Sequence, residues 1–163
     1  MKLYLTALLM LSLIFCSCKS NTTEAPVQTS TTFKMTTADY KSLPFSVKYI
    51  NTSYADTVWV SIGNEGSITK TISTSQPSSN TLKIRFLYGW GQRSGGEQQA
   101  AGKYFDTGNL PFSKSGDTLL VKYGQNYYQV KESADSLSMQ IFLMNEDFKT
   151  SRLGHTFLLS FKK

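Results

Sequence analysis

Residues 82–90 run LKIRFLYGW, and their alternation decides the fold class. Leu82, Ile84, Phe86, Tyr88 and Trp90 take every second position, with Lys83 and Arg85 between the first of them. Successive side chains of an extended chain point to opposite faces, so this period puts five large apolar groups on one side of a strand. Outward from it, Phe45, Val47 and Tyr49 alternate with Ser46 and Lys48, and Thr57–Ile62 is rich in residues suited to a pleated surface. Thr118–Tyr123, Tyr127–Val130, Leu137–Met144 and Thr156–Lys162 supply further runs, the last with Phe157, Leu159 and Phe161 on one face. Turn chemistry at Asn64–Gly66, Gly124–Asn126 and Lys131–Asp135 separates neighbouring runs. About seven short strands predict an all-β fold, an antiparallel sandwich or a small barrel, with an immunoglobulin-like or related β-sandwich as the first choice. No run makes a convincing helix; helical structure is expected, if anywhere, as one turn at Thr37–Ser42 and a short segment over Glu97–Lys103. Trp59, inside an apolar strand, reads as core. Tyr127 and Tyr128 face opposite sides, which exposes one of them.

Before Phe33 the composition changes. After Lys2, residues Leu3–Phe15 are apolar except for Thr6 and Ser12. Spanning a bilayer takes roughly 20 apolar residues, so this run fits the core of a secretory signal instead. It ends in Phe15-Cys16-Ser17-Cys18, where the small Ser17 precedes Cys18. This resembles the lipobox of bacterial lipoproteins. The aromatic residue and the Ser-Cys pair, in place of the commoner Leu and Ala, look like Bacteroidota-type lipoproteins. The resemblance implies a signal peptide over 1–17, cleavage before Cys18, and acyl chains on Cys18 that hold the protein in the outer membrane. Acylation would consume the one remaining thiol, leaving no disulfide. Residues 18–32, rich in Ser and Thr, are expected to tether a single domain over 33–163 roughly 20 Å from the lipid. Bacteroidota-type surface lipoproteins tend to carry acids directly after the cysteine. Here Lys19 follows and Glu24 is the first acid, which favours the periplasmic face.

The inventory for catalysis is thin. The single histidine, His155, reads as a strand-end residue, and G-x-S-x-G does not occur. Glu146 and Asp147 are adjacent, so on a strand they point apart. Asp56, Asp106, Asp117 and Asp135 are isolated, whereas calcium takes six to eight oxygens, usually from clustered ligands. No enzyme activity, metal or cofactor is therefore expected. The net charge of +6 is scattered without a basic stripe, which argues against nucleic acid.

Gly91–Gly116 reads either as a long, glycine-containing loop, and such loops are often functional, or as a short strand around Lys103–Thr107 between two ordinary loops with its aromatics in the core. Its candidate binding residues, with the preceding Trp90, are Gln92, Arg93, Tyr104, Phe105, Asn109 and Phe112. Asp56-Thr57-Val58, Asp117-Thr118-Leu119 and Asp135-Ser136-Leu137 look like the O-glycosylation sequon of exported Bacteroidota proteins, implying sugars on Thr57, Thr118 and Ser136. The expected function is that of a membrane-anchored, non-catalytic protein binding an envelope protein or assembly through the Gly91–Gly116 segment. The alternative is a glycan-binding module of a surface uptake system. Exposed, flat-lying aromatics favour the glycan, and a broad apolar patch with a polar rim favours the protein.

Overall fold

A computed structural model describes residues 27–51, 56–144 and 154–163. Cys18, the signal segment, Glu146 and Asp147 lie outside those residues. The described chain is all-β and antiparallel. Its strands are β1 (Gln28–Ala38), β2 (Lys41–Ser42), β3 (Phe45–Asn51), β4 (Asp56–Ser73), β5 (Thr81–Ser94), β6 (Glu97–Asp106), β7 (Leu110–Ser115), β8 (Thr118–Tyr123), β9 (Asn126–Glu132), β10 (Ser136–Met144) and β11 (Gly154–Lys162).

The expected sandwich is instead a barrel. β4, β5, β7, β8, β9, β10, β11 and β1 neighbour one another in that order, and β1 returns to pair with β4. The closing seam runs from Gln28↔Ser73 to Lys34↔Ser67. All seven strands read from the sequence are present. Unread were β1, β7, the second half of β4 and β6 before Lys103, its end matching the strand reading around Lys103–Thr107; β1 with the second half of β4 is what closes the sheet. β1 begins at Gln28, inside the segment expected to be tether. Its inward residues, Phe33 and Met35, are separated by polar ones, so the apolar signal is short.

Eight strands enclose a space that side chains can fill. Leu82, Ile84, Phe86, Leu119, Val121, Val130, Phe157, Leu159 and Phe161 are fully buried there. At one mouth, Lys70 and Lys114 both bond the Glu132 carboxylate, Lys114 at 2.7 Å. Burial of Glu132 works against its charge, but the hydrogen bonds and positive charges of Lys114 and Lys70 outweigh it and hold its pKa below the usual carboxylate range.

β4 and β5 are too long for the barrel alone. Between Ile62↔Tyr88 and Gly66↔Phe86, β4 advances four residues while β5 advances two. The expected turn at Asn64–Gly66 is therefore a bulge within one strand, and bulges bend the strands that carry them. A Cβ on Gly66 would lie 2.7 Å from the terminal methyl of Met35 and 3.0 Å from the Cβ atoms of Met35 and Phe86, so glycine gives the bend room to pack closely. Beyond it, the first half of β4 and the second half of β5 leave the ring and are flanked by β3 and β6. The result is a four-stranded flap, β3-β4-β5-β6. Its inner face carries Val58, Val60 and Trp90 into the core. Thr37–Ser42 forms the end of β1, a turn and β2, and Glu97–Lys103 is strand, so neither expected helical segment exists.

Candidate functional site

The outer face of the flap holds the site. Cross-strand register sets three rows there: Ile50–Thr57–Arg93–Gln98, then Lys48–Trp59–Gly91–Ala100, then Ser46–Ser61–Gly89–Gly102. Residues directly paired share a face. Because Val58 and Val60 are buried inward, Trp59 between them must face out. Its indole lies across Gly91, where any Cβ would collide with the six-membered ring. Glycine thus lets a large aromatic lie down on the sheet and shields the backbone beneath it. Gly91 itself is buried.

The surrounding surface forms an open groove of about 590 Å³, within the range of small-ligand sites. Trp59 lies in it with Lys48, Ser46 and Ser61 on one side and Arg93, Thr57 and Gln98 on the other. The groove therefore combines a flat apolar surface with hydroxyl, amide and cationic groups at its edges. No acidic side chain lines it, and neither Lys48 nor Arg93 has an ion-pair partner among the described residues.

The expected binding loop is β-sheet. Of its candidates, only Arg93 reaches the groove. Trp90 is 5% exposed and belongs to the core. Gln92 pairs with buried Val58 and so lies on the inner face. Phe105 stacks on Phe86 with ring centres 5.0 Å apart, and Phe112 also packs against the core. Asn109 is exposed in the turn before β7. Tyr104 lies on the outer wall, stacked 4.2 Å from the Arg85 guanidinium and donating to Glu65. That hydrogen bond raises its pKa above the ordinary phenol value.

The two tryptophans thus exchange the roles read for them: Trp90 is core, and Trp59 is surface. Lys48 was not singled out at all. Strand parity pointed to Trp59, since a tryptophan between two inward valines must face outward. The β4–β5 register that puts glycine opposite it is a long-range pairing, invisible in either segment alone.

A second polar cluster lies between β1, β3 and β11. His155 Nε2 is 2.7 Å from Asp39 Oδ2, and its Nδ1 is 3.2 Å from the Tyr49 hydroxyl. That hydroxyl also donates to the Gly154 carbonyl at 3.2 Å. Asp39 Oδ1 accepts from the Leu158 N–H at 2.8 Å, while the Asp39 N–H donates to the Leu158 carbonyl. Asp39 and Tyr40 both have positive φ, 50° and 61°, so the side-chain bonds hold a turn that the backbone alone disfavours. Every polar atom of this cluster is spent on fixing that turn. His155 is a strand-end residue, but a half-buried and anchored one.

Thr57, Thr118 and Ser136 are each half-buried at or next to the first residue of a strand, Thr57 within the groove and Thr118 bonded to Asp117 at 3.0 Å. Tyr127 is 63% exposed, whereas Tyr128 packs against the core. Among the described residues, no group of three or more His, Cys, Asp or Glu could hold a metal, and no helix is long and apolar enough to cross a membrane. The chain matches no protein-family model, no curated protein and no solved structure, so the chemistry of the groove must be read from its own residues.

Proposed function

We propose that this protein is a lipid-anchored, non-catalytic component of a bacterial outer membrane, held through acylated Cys18, whose barrel carries a saccharide-binding groove on the flap. The single observation behind the saccharide reading is Trp59, a half-buried indole resting against Gly91 and lining an open groove. A pyranose ring presents a face of C–H groups and an edge of hydroxyls. The first packs on a flat indole, and the second needs donors and acceptors around that indole's rim. Ser46, Ser61, Thr57 and Gln98 stand where that rim would be. The aromatic is fixed by its own sheet, so little ordering cost falls on binding.

The test is a glycan array probed with the full chain and with Trp59→Ala. A saccharide bound by the wild type and lost at least tenfold in the variant, with unchanged circular dichroism, is the expected result; tenfold corresponds to about 1.4 kcal/mol. Failure of the wild type to bind any glycan on the array ends this reading.

One observation favours a protein partner instead. Among the described residues β6 pairs only with β5, and nine of its ten residues are exposed. A free strand edge is a template for strand addition. A photo-crosslinking side chain at Gln99 tests this in the native envelope. A stoichiometric protein adduct supports it, and labelling no different from an unrelated surface position removes it.

A further inference from the structure

We infer that the groove selects an acidic oligosaccharide, at least three sugar units long, with acid groups on both sides of the unit that stacks on Trp59. This rests on the saccharide reading above and adds the charge and length of the ligand. Register fixes where the two cations stand. Lys48 is directly opposite Trp59 on β3, and Arg93 is on β5, one two-residue step from Gly91 on the same face. Two strand spacings of about 4.8 Å and one step of about 6.8 Å put their Cβ atoms roughly 12 Å apart, with the indole between them. Long flexible side chains shorten that span at their tips.

Among the described residues no acid lines the groove that holds both charges. Several other cations are matched, Lys83 and Arg85 by Asp106, Lys70 and Lys114 by Glu132 and Lys163 by Asp135; what sets Lys48 and Arg93 apart is that they flank one aromatic in one groove. A pair of cations left unmatched beside an open aromatic is the complement of an anionic ligand with a packing face. Arg93 can grip a carboxylate through two parallel N–H bonds, while Lys48 offers a point charge. One sugar acid carries a single negative charge and so matches only one of the two cations while its ring covers Trp59. An acidic unit on each side of the stacked ring matches both.

The experiment is titration of the full chain in neutral detergent, followed by tryptophan fluorescence and calorimetry. The ligands are a trimeric uronic acid, its monomer, a neutral trisaccharide, polyglutamate and anionic vesicles. The variants are Trp59→Ala and the double substitution Lys48→Gln with Arg93→Gln, each checked for folding by circular dichroism. The inference expects the uronic trimer to bind at least tenfold more tightly than its monomer or the neutral trimer. It also expects tenfold weakening in the double variant and progressive weakening with added salt. A neutral trisaccharide bound as tightly as the uronic one, and unaffected by the double substitution, overturns the acidic selectivity but leaves the saccharide reading standing. Polyglutamate or vesicles bound as tightly as the uronic trimer, independently of Trp59, overturn it in favour of an acidic peptide or a lipid surface. No binding by any saccharide defeats both readings.

Discussion

Trp59 and Trp90 lie in paired strands and share an aromatic chemistry, yet one is a surface and the other a core residue. Parity alone separates them. Local sequence supported the burial of Trp90, as part of the LKIRFLYGW alternation, and the sequence reading nonetheless assigned it to binding because a glycine-rich segment follows. The glycine that matters is Gly91, which clears space for the indole opposite. Gly91→Val should lift Trp59 off the sheet, raising the accessibility of one tryptophan to acrylamide quenching and removing saccharide binding. The overpacking should cost about 1–3 kcal/mol in urea unfolding. Unaltered quenching would mean that the indole does not rest on Gly91. At the second cluster, Asp39→Ala removes the acceptors for Leu158 N–H and His155 and leaves a positive-φ turn without its clamp. A loss of about 2 kcal/mol in urea unfolding is expected, and wild-type stability would show that the turn holds itself.

At the scale of elements, strands with strong alternation were legible and those that derive their burial from partners were not. β6 exposes almost every residue, so its sequence carries no apolar period, and its glycines and glutamines resemble a loop. β1 offers only Phe33 and Met35 as large inward groups before Ala38, and its place is set by a seam to residues 33 to 45 positions away, from Lys34↔Ser67 to Gln28↔Ser73. The sandwich was expected on strand count and spacing, which a small barrel shares, and this long-range seam is what separates the two. Phe33 is 3% exposed at this seam. Phe33→Ala should cost about 3–5 kcal/mol, read as a lower urea midpoint. A shift below 1 kcal/mol would place Phe33 outside the cooperative core.

For the molecule as a whole, the ion cluster at the barrel mouth makes stability depend on pH. The Glu132 carboxyl titrates below the ordinary value of 4.5 when folded, so the folded state holds its proton less tightly than the unfolded chain. Its contribution is fully present at neutral pH. It declines as the pH falls below that ordinary value and through the folded pKa. Glu132→Gln should cost about 2 kcal/mol at pH 7 and flatten the acid limb of stability against pH. Wild-type acid sensitivity in the variant would assign that limb to other carboxylates.

The closing seam has a mechanical meaning. Under the proposed anchoring, the chain from Cys18 would lead to the start of β1, which pairs with Ser73 at the far end of β4, whereas the groove lies near the other end of that strand. The fourteen residue steps from Trp59 to Ser73, bent at the bulge, span at most roughly 45 Å. Force applied between a held ligand and the lipid anchor would therefore pull β1 and β4 lengthwise. The rungs from Gln28↔Ser73 to Lys34↔Ser67 would share that load in shear rather than open one after another like a zip. If the anchor and ligand are as proposed, closing the barrel with its first strand would place a joint loaded in shear on the line between membrane and ligand.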